Sequence, residues 1–303
     1  MPNEGSQQKS DGKTKVAQGD LQKTFIAMLF AFAVSVVAQQ ISELLTVATS
    51  NWRLALSPFQ IFENVRTNFW PMLSITTHSL LALLMLSVSW VMWSKSQAAG
   101  HLVDINEIFS IKFITFLMEV LLVTLYFSLS KSAEGDYTAY QKNKEMTAYL
   151  TEASARPEAM QMFWIFIIFA VWDYIVDVAQ SPKEPQPSSA IGILRSHLSG
   201  ISVYCSVSIL CSIGALGVYF LSPAGNSPME AVLGDIALVS LLLLFNRAKT
   251  WEHYIFRLFP SERSRNNTKR LPTASGNYLI LILLFIYTTC TLAMKIATLC
   301  TPQ

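Results

Sequence analysis

Seven stretches of this 303-residue chain are each long and apolar enough to cross a lipid bilayer. The hydrocarbon core is about 30 Å thick and a helix rises about 1.5 Å per residue, so a spanning helix needs about 20 mainly apolar residues. The stretches lack the sustained alternation that is typical of membrane β-strands. The sequence therefore predicts an all-α polytopic membrane bundle with about seven transmembrane helices. The predicted spans are residues 24–48, 71–93, 111–130, 159–179, 200–221, 229–246 and 277–300.

Composition excludes a soluble globular protein. Hydrophobic residues make up 52% of the chain and charged residues only 14%, whereas a soluble domain carries roughly 25% charged residues. The net charge of +2 gives no indication of a nucleic-acid partner, and the lipid bilayer is the expected surrounding. We predict a polar cytoplasmic N-terminal tail over residues 1–23, followed by a membrane domain over residues 24–300.

Lysine and arginine residues in the loops predict the orientation. With the N-terminus in the cytoplasm, 15 of these cations fall in inside segments and six in outside segments. Positive charge is concentrated on the cytoplasmic side of membrane proteins, so we predict that the N-terminus lies inside and the C-terminus outside. The short chain without targeting features is interpreted as a multi-pass protein of a bacterial inner membrane.

Three segments near the predicted spans carry local signals. Residues 57–70 have a capping serine, a following proline and an aromatic stripe, which predict a helix at the outer interface; a connector, a pore helix and a substrate-contacting cap are the alternatives. Ser227, Pro228 and Glu230 predict the start of the sixth span. Residues 247–276 mix cations with aromatic side chains, a pattern that indicates a topology determinant, an anionic-lipid site or a docking site for a cytosolic partner.

Ionisable residues within spans are costly to bury and are candidate functional sites. In the predicted topology, four of them lie in the outer half of the membrane: Glu43, His78, Asp235 and Lys295. If their helices are neighbours, Lys295 can pair with Asp235 or Glu43, and the group is then either a structural cluster or an ion or proton site. Lys295 can instead extend to the outer surface.

A second group of carboxylates lies toward the cytoplasmic side. Asp173 and Asp177 are four residues apart and share one helix face, so they can hold a divalent cation with further ligands or face interfacial water. Glu119 is alone in an apolar third span. Its carboxyl group must be either protonated or paired with a neighbouring helix, and we select it as the first residue to mutate.

The fifth predicted span is uncharged and rich in small residues. Ser202 and Ser206 lie four positions apart, and Gly214 and Gly217 lie three apart. Small residues allow close approach of membrane helices, so we expect this span to be central in the bundle or to form a homo-oligomer interface.

The chain lacks the short motifs of nucleotide-binding proteins and of soluble hydrolases, and its four cysteines form no CxxC pair. We therefore expect no cofactor and no metal, and enzymatic activity is the least favoured alternative. Two function classes remain: an ion channel or transporter-like protein, and a non-transporting membrane subunit such as a sensor, assembly factor or effector. A continuous polar cavity would favour the first class, and charges paired in a dry core would favour the second.

Overall fold

The computed structural model describes residues 4–54, 58–97, 111–131, 135–150, 153–175 and 202–252. The described part is helical and contains no β-strand, although Gly135 and Leu150 form an isolated bridge. Its helices are α1 (Glu4–Leu54), α2 (Pro58–Gln97), α3 (Ile111–Lys131), α4 (Tyr137–Asn143), α5 (Met146–Tyr149), α6 (Arg156–Tyr174), α7 (Val203–Leu221) and α8 (Pro228–Glu252).

Five of the predicted spans are confirmed as helices long and apolar enough to cross a membrane. They are Lys23–Ser50, Arg66–Ser94, Phe113–Lys131, Val203–Leu221 and Pro228–Ala248. The fourth predicted span, 159–179, is described only as far as residue 175, and this part of it belongs to α6. The seventh predicted span, 277–300, lies outside the described residues, as does most of the basic segment 247–276.

The first two helices extend well beyond their membrane spans. Helix α1 has 51 residues, a length of about 75 Å at the α-helical rise, and it continues through most of the segment predicted as a polar tail. Helix α2 has 40 residues and contains Pro71. The predicted interfacial helix 57–70 begins at Pro58 as expected, but it continues directly into the second span, since a membrane helix tolerates a proline.

The core is centred on an aromatic cluster shared by α6, α7 and α8. The ring of Phe245 lies 4.9 Å from that of Phe169, 5.0 Å from Tyr204 and 5.2 Å from Phe166, measured between centroids. Helix α6 packs extensively on α7, and α2 packs on α8. The small-residue helix α7 is therefore internal on one face, while Leu210, Ile213 and other residues of the opposite face are exposed.

The residues just before and at the start of α6 are bonded to the turn between α7 and α8. The backbone N–H of Ser227 donates to the carbonyl of Ala153, and Arg156 Nε donates to the carbonyl of Ser222 at 2.7 Å. The guanidinium of Arg156 also lies over the ring of Tyr219. These contacts hold the start of α6 against the α7–α8 turn, which positions α6 in register with both helices.

A small satellite core covers the end of α1. Tyr140 of α4 and Tyr149 of α5 pack on Leu44, Val47 and Ile75. Tyr140 and Ser50 share a hydrogen bond. Residues 135–150 thus form a compact cap on α1 and α2.

Candidate functional site

In the described part of the chain, we consider three places in the bundle where a buried ionisable side chain contacts a neighbouring helix. The first place joins α2 to α6. His78 Nδ1 lies 3.2 Å from Glu158 Oε1, and both side chains are almost fully buried. The other ring nitrogen, Nε2, lies 3.1 Å from the carbonyl oxygen of Leu129 in α3. A carbonyl oxygen only accepts, so Nε2 carries a proton and donates it to Leu129, while Nδ1 faces the Glu158 carboxyl group.

Asp235 of α8 lies at the same level of the bundle. Thr77, the neighbour of His78 in α2, donates a 2.8 Å hydrogen bond to Asp235 Oδ2. The structure therefore brings His78 and Asp235, which the sequence placed at one depth, to one end of the bundle. Glu43, the third member of that group, lies on α1 and accepts a 2.8 Å hydrogen bond from Gln39 Nε2. Lys295 lies outside the described residues.

Glu43 acts electrostatically on the cap over α1 and α2. Burial, and to a smaller extent the negative charge of Glu43, raise the pKa of Tyr149 to about 12. A buried phenol beside a carboxylate loses its proton reluctantly because two like charges would form. Glu43 is therefore an electrostatic neighbour of the cap.

The second place joins α6 to α7. Asp173 is buried and accepts a hydrogen bond from the hydroxyl of Ser202. That hydroxyl oxygen in turn accepts the backbone N–H of Cys205 at 2.8 Å and caps the start of α7. Asp173 thus orients a capping residue. Its predicted partner on the same face, Asp177, lies outside the described residues.

The third place is Glu119 of α3, which borders a cavity between the helices. Trp93 of α2 donates its indole N–H to Glu119 Oε2 at 3.3 Å. Trp172 of α6 brings its indole N–H close enough to act on the carboxyl group, although outside normal hydrogen-bond geometry. Among the described residues no lysine, arginine or histidine pairs with Glu119.

The cavity lies between α1, α2, α3 and α6. The space open to the centres of water-sized molecules is about 30 Å³, which is enough for a water molecule or a small ion. Five aromatic side chains surround it together with two aliphatic ones, a methionine, Ser89 and Glu119. The lining residues are Phe30, Ser89, Met92, Trp93, Glu119, Leu122, Val123, Tyr126, Phe169 and Trp172.

Helix geometry explains why Trp172 and Asp173 serve different contacts. Adjacent residues of a helix point about 100° apart. Asp173 therefore faces α7, and Trp172 faces the cavity. Glu119 faces inward because α1, α2 and α6 surround one side of α3, whereas Leu117 and Leu121 on its other side are exposed. The carboxyl group can therefore hold or exchange a proton or cation in the cavity without leaving the bundle interior.

Sequence reasoning missed several residues of these contacts. Glu158 lies one residue before the predicted fourth span, although a histidine within a span is itself a signal to look for a carboxylate near the ends of other spans. Trp93, Trp172 and Tyr126 read as ordinary apolar residues of their helices. No sequence signal identified Ser89 as a lining residue.

A metal site is not evident in this part of the chain. The described residues contain no group of three or more histidine, cysteine, aspartate or glutamate side chains that could hold a metal ion. Glu119 is surrounded by rings and not by the several oxygen ligands that Mg²⁺ or Ca²⁺ requires.

Comparison with known proteins gives no match: no family model, no curated protein and no solved structure is significantly similar to this chain. The described part of the structure contains five helices that are long and apolar enough to cross a membrane, which is compatible with a membrane protein. Any assignment of function depends on the contacts described above.

Proposed function

We propose that this protein is a channel or transporter-like protein in which Glu119 is the residue that carries a proton or small cation. One observation supports the proposal most: the carboxyl group of Glu119 borders a cavity large enough for a water molecule and, among the described residues, has only neutral donors as partners. A buried carboxyl group is costly in a membrane protein. A charge or a proton that takes part in transport is one reason for such a group within a bundle.

The orientation and location belong to the same proposal. The excess of cations in the segments predicted to be cytoplasmic supports an N-terminus inside and a C-terminus outside a bacterial inner membrane. Residues 247–276 would then face the cytoplasm, where anionic lipid or a cytosolic partner can contact them.

Ion flux through purified protein in lipid vesicles tests the transport function. We expect wild-type protein to conduct protons or monovalent cations, and Glu119→Gln to change the flux or its pH dependence because the amide keeps the shape but cannot exchange a proton. Glu63→Gln is the matched control, since Glu63 is an exposed residue of α2. Equal fluxes in Glu119→Gln and wild type would exclude Glu119 as the carrier.

A second candidate function is a non-transporting membrane subunit. It is favoured by the way other buried polar groups pair between helices: His78 with Glu158, Thr77 with Asp235, and Asp173 with Ser202. Such pairs fix helix positions and need no transported ion. Wild-type vesicles without flux, across several ions and voltages, would favour this function.

A further inference from the structure

We propose that the cavity beside Glu119 is a binding site for a small alkylammonium ion of about the size of methylammonium; this deepens the proposed transport function and rests on it. The inference follows from three features of the cavity: its charge, its aromatic lining and its size.

The charge of the site selects a cation. Glu119 is 8% exposed, and in the described part of the chain its carboxyl group accepts a hydrogen bond from the indole N–H of Trp93, with Trp172 as a further neutral neighbour. Neutral donors orient a carboxylate but leave its negative charge uncompensated. A bound monovalent cation compensates that charge, which makes the ion pair much more favourable than either ion alone in an apolar interior.

The lining selects an organic cation over an inorganic one. Five rings border the cavity, those of Phe30, Trp93, Tyr126, Phe169 and Trp172. Aromatic faces attract ammonium groups by cation–π interaction, and the attraction is strongest in sites without water. Na⁺ and K⁺ instead need several oxygen ligands to replace their hydration shell, and the lining offers few oxygen atoms.

Ser89 supplies an independent indication of a ligand. Its side chain is 2% exposed and lines the cavity, and its Oγ makes no hydrogen bond of normal geometry. The Ser89 hydroxyl also lies near the hydroxyl group of Tyr126. A hydroxyl oxygen can accept more than one hydrogen bond, so one N–H group of an alkylammonium ion can donate to Ser89 Oγ while another N–H donates to Glu119.

The volume of the cavity limits the size of the ion that can bind there. A space of about 30 Å³ for the centres of water-sized molecules accommodates one or two non-hydrogen atoms beside the lining. Methylammonium has two such atoms. Tetrabutylammonium is far too large and serves as a size control.

Titration calorimetry of the full-length protein in lipid nanodiscs tests the site, with methylammonium as the probe. We expect saturable binding of methylammonium, and weaker binding of K⁺ and tetrabutylammonium at equal concentration. Glu119→Gln should weaken methylammonium binding by about tenfold or more because the counter-charge is lost. Trp93→Leu should weaken it about tenfold through loss of one ring, Glu119→Asp should restore part of it, and Glu63→Gln should leave it unchanged.

A second measurement does not depend on the folding of Glu119 variants. In the Ser89→Cys variant, methylammonium should slow the oxidation of the thiol at position 89 by hydrogen peroxide, a reagent of two non-hydrogen atoms, whereas K⁺ should not; mass spectrometry of the peptide that contains position 89 measures this. Equal effects of methylammonium and K⁺ in both measurements would overturn the inference, as would unchanged binding in Glu119→Gln.

The outcomes separate this inference from the proposed function. Flux of protons or inorganic cations without methylammonium binding would overturn the alkylammonium site and leave the transport function standing. Methylammonium binding without any flux would support the site and overturn transport.

Discussion

At the scale of single residues, Gly234 shows how closely two helices approach. A Cβ atom at this position of α8 would lie 2.3 Å from the Cβ of Ala155, just before α6. Two carbon atoms that are not bonded to each other do not approach so closely, and the methyl group of Ala155 has no flexible end that could move away. Only glycine therefore fits where α8 contacts the start of α6.

Gly234→Ala should destabilise the protein by about 1–3 kcal/mol, the usual cost of overpacking a core. Gly217→Ala is the matched control, because a Cβ atom on Gly217 of α7 would meet nothing within 4 Å. That variant should be neutral or slightly stabilising, since alanine favours helix more than glycine does. Thermal unfolding in detergent micelles compares the two, and equal shifts in Tm would contradict the packing described here.

At the scale of helices, polar contacts fix which faces meet. His78 connects α2 to α3 and α6 through Leu129 and Glu158, and Thr77 connects α2 to α8 through Asp235. Two adjacent residues of α2 thus contact three other helices at one level. Because van der Waals packing between apolar helices in lipid specifies rotation poorly, such contacts determine the rotation of α2.

Replacement of either His78 or Glu158 alone should destabilise the bundle, because the remaining group stays buried without its partner. Breaking a buried pair costs about 3–5 kcal/mol in soluble proteins. We expect His78→Gln and Glu158→Gln together to cost clearly less than the sum of the two single changes. The double-mutant cycle is measured by reversible unfolding in mixed micelles, with His78→Gln combined with Glu63→Gln as the control pair, which should be additive. Additive losses for His78 and Glu158 would show that the pair contributes no coupling.

At the scale of the whole molecule, the orientation in the membrane is a prediction from the distribution of charge. The 15 cations assigned to inside segments against six outside predict a cytoplasmic Ser261 and an external Gln303. In a chain with its four cysteines replaced, a membrane-impermeant thiol reagent applied from outside should label Gln303→Cys and not Ser261→Cys. External labelling of Ser261→Cys would reverse the orientation and alter the span count.

The sequence predicted those features of the fold that depend on residues close together in the chain. The start of α2 at Pro58 and of α8 at Pro228 followed from serine and proline signals in the sequence, and five apolar spans followed from length and composition. The sequence did not predict that residues 58–70 and the second span form one continuous helix. The reason is that neither an aromatic stripe nor Pro71 determines whether a helix ends at that point.

The sequence by itself determined that this chain forms apolar helices, since a backbone in lipid must satisfy its hydrogen bonds within each helix. It also identified Glu119, His78, Asp173 and Asp235 as polar groups that need partners. Only the tertiary structure decided the partners: Glu158 for His78, Ser202 for Asp173, and two indoles and a cavity for Glu119. The physical reason is that a helix apolar on every side does not show in its sequence which face turns inward.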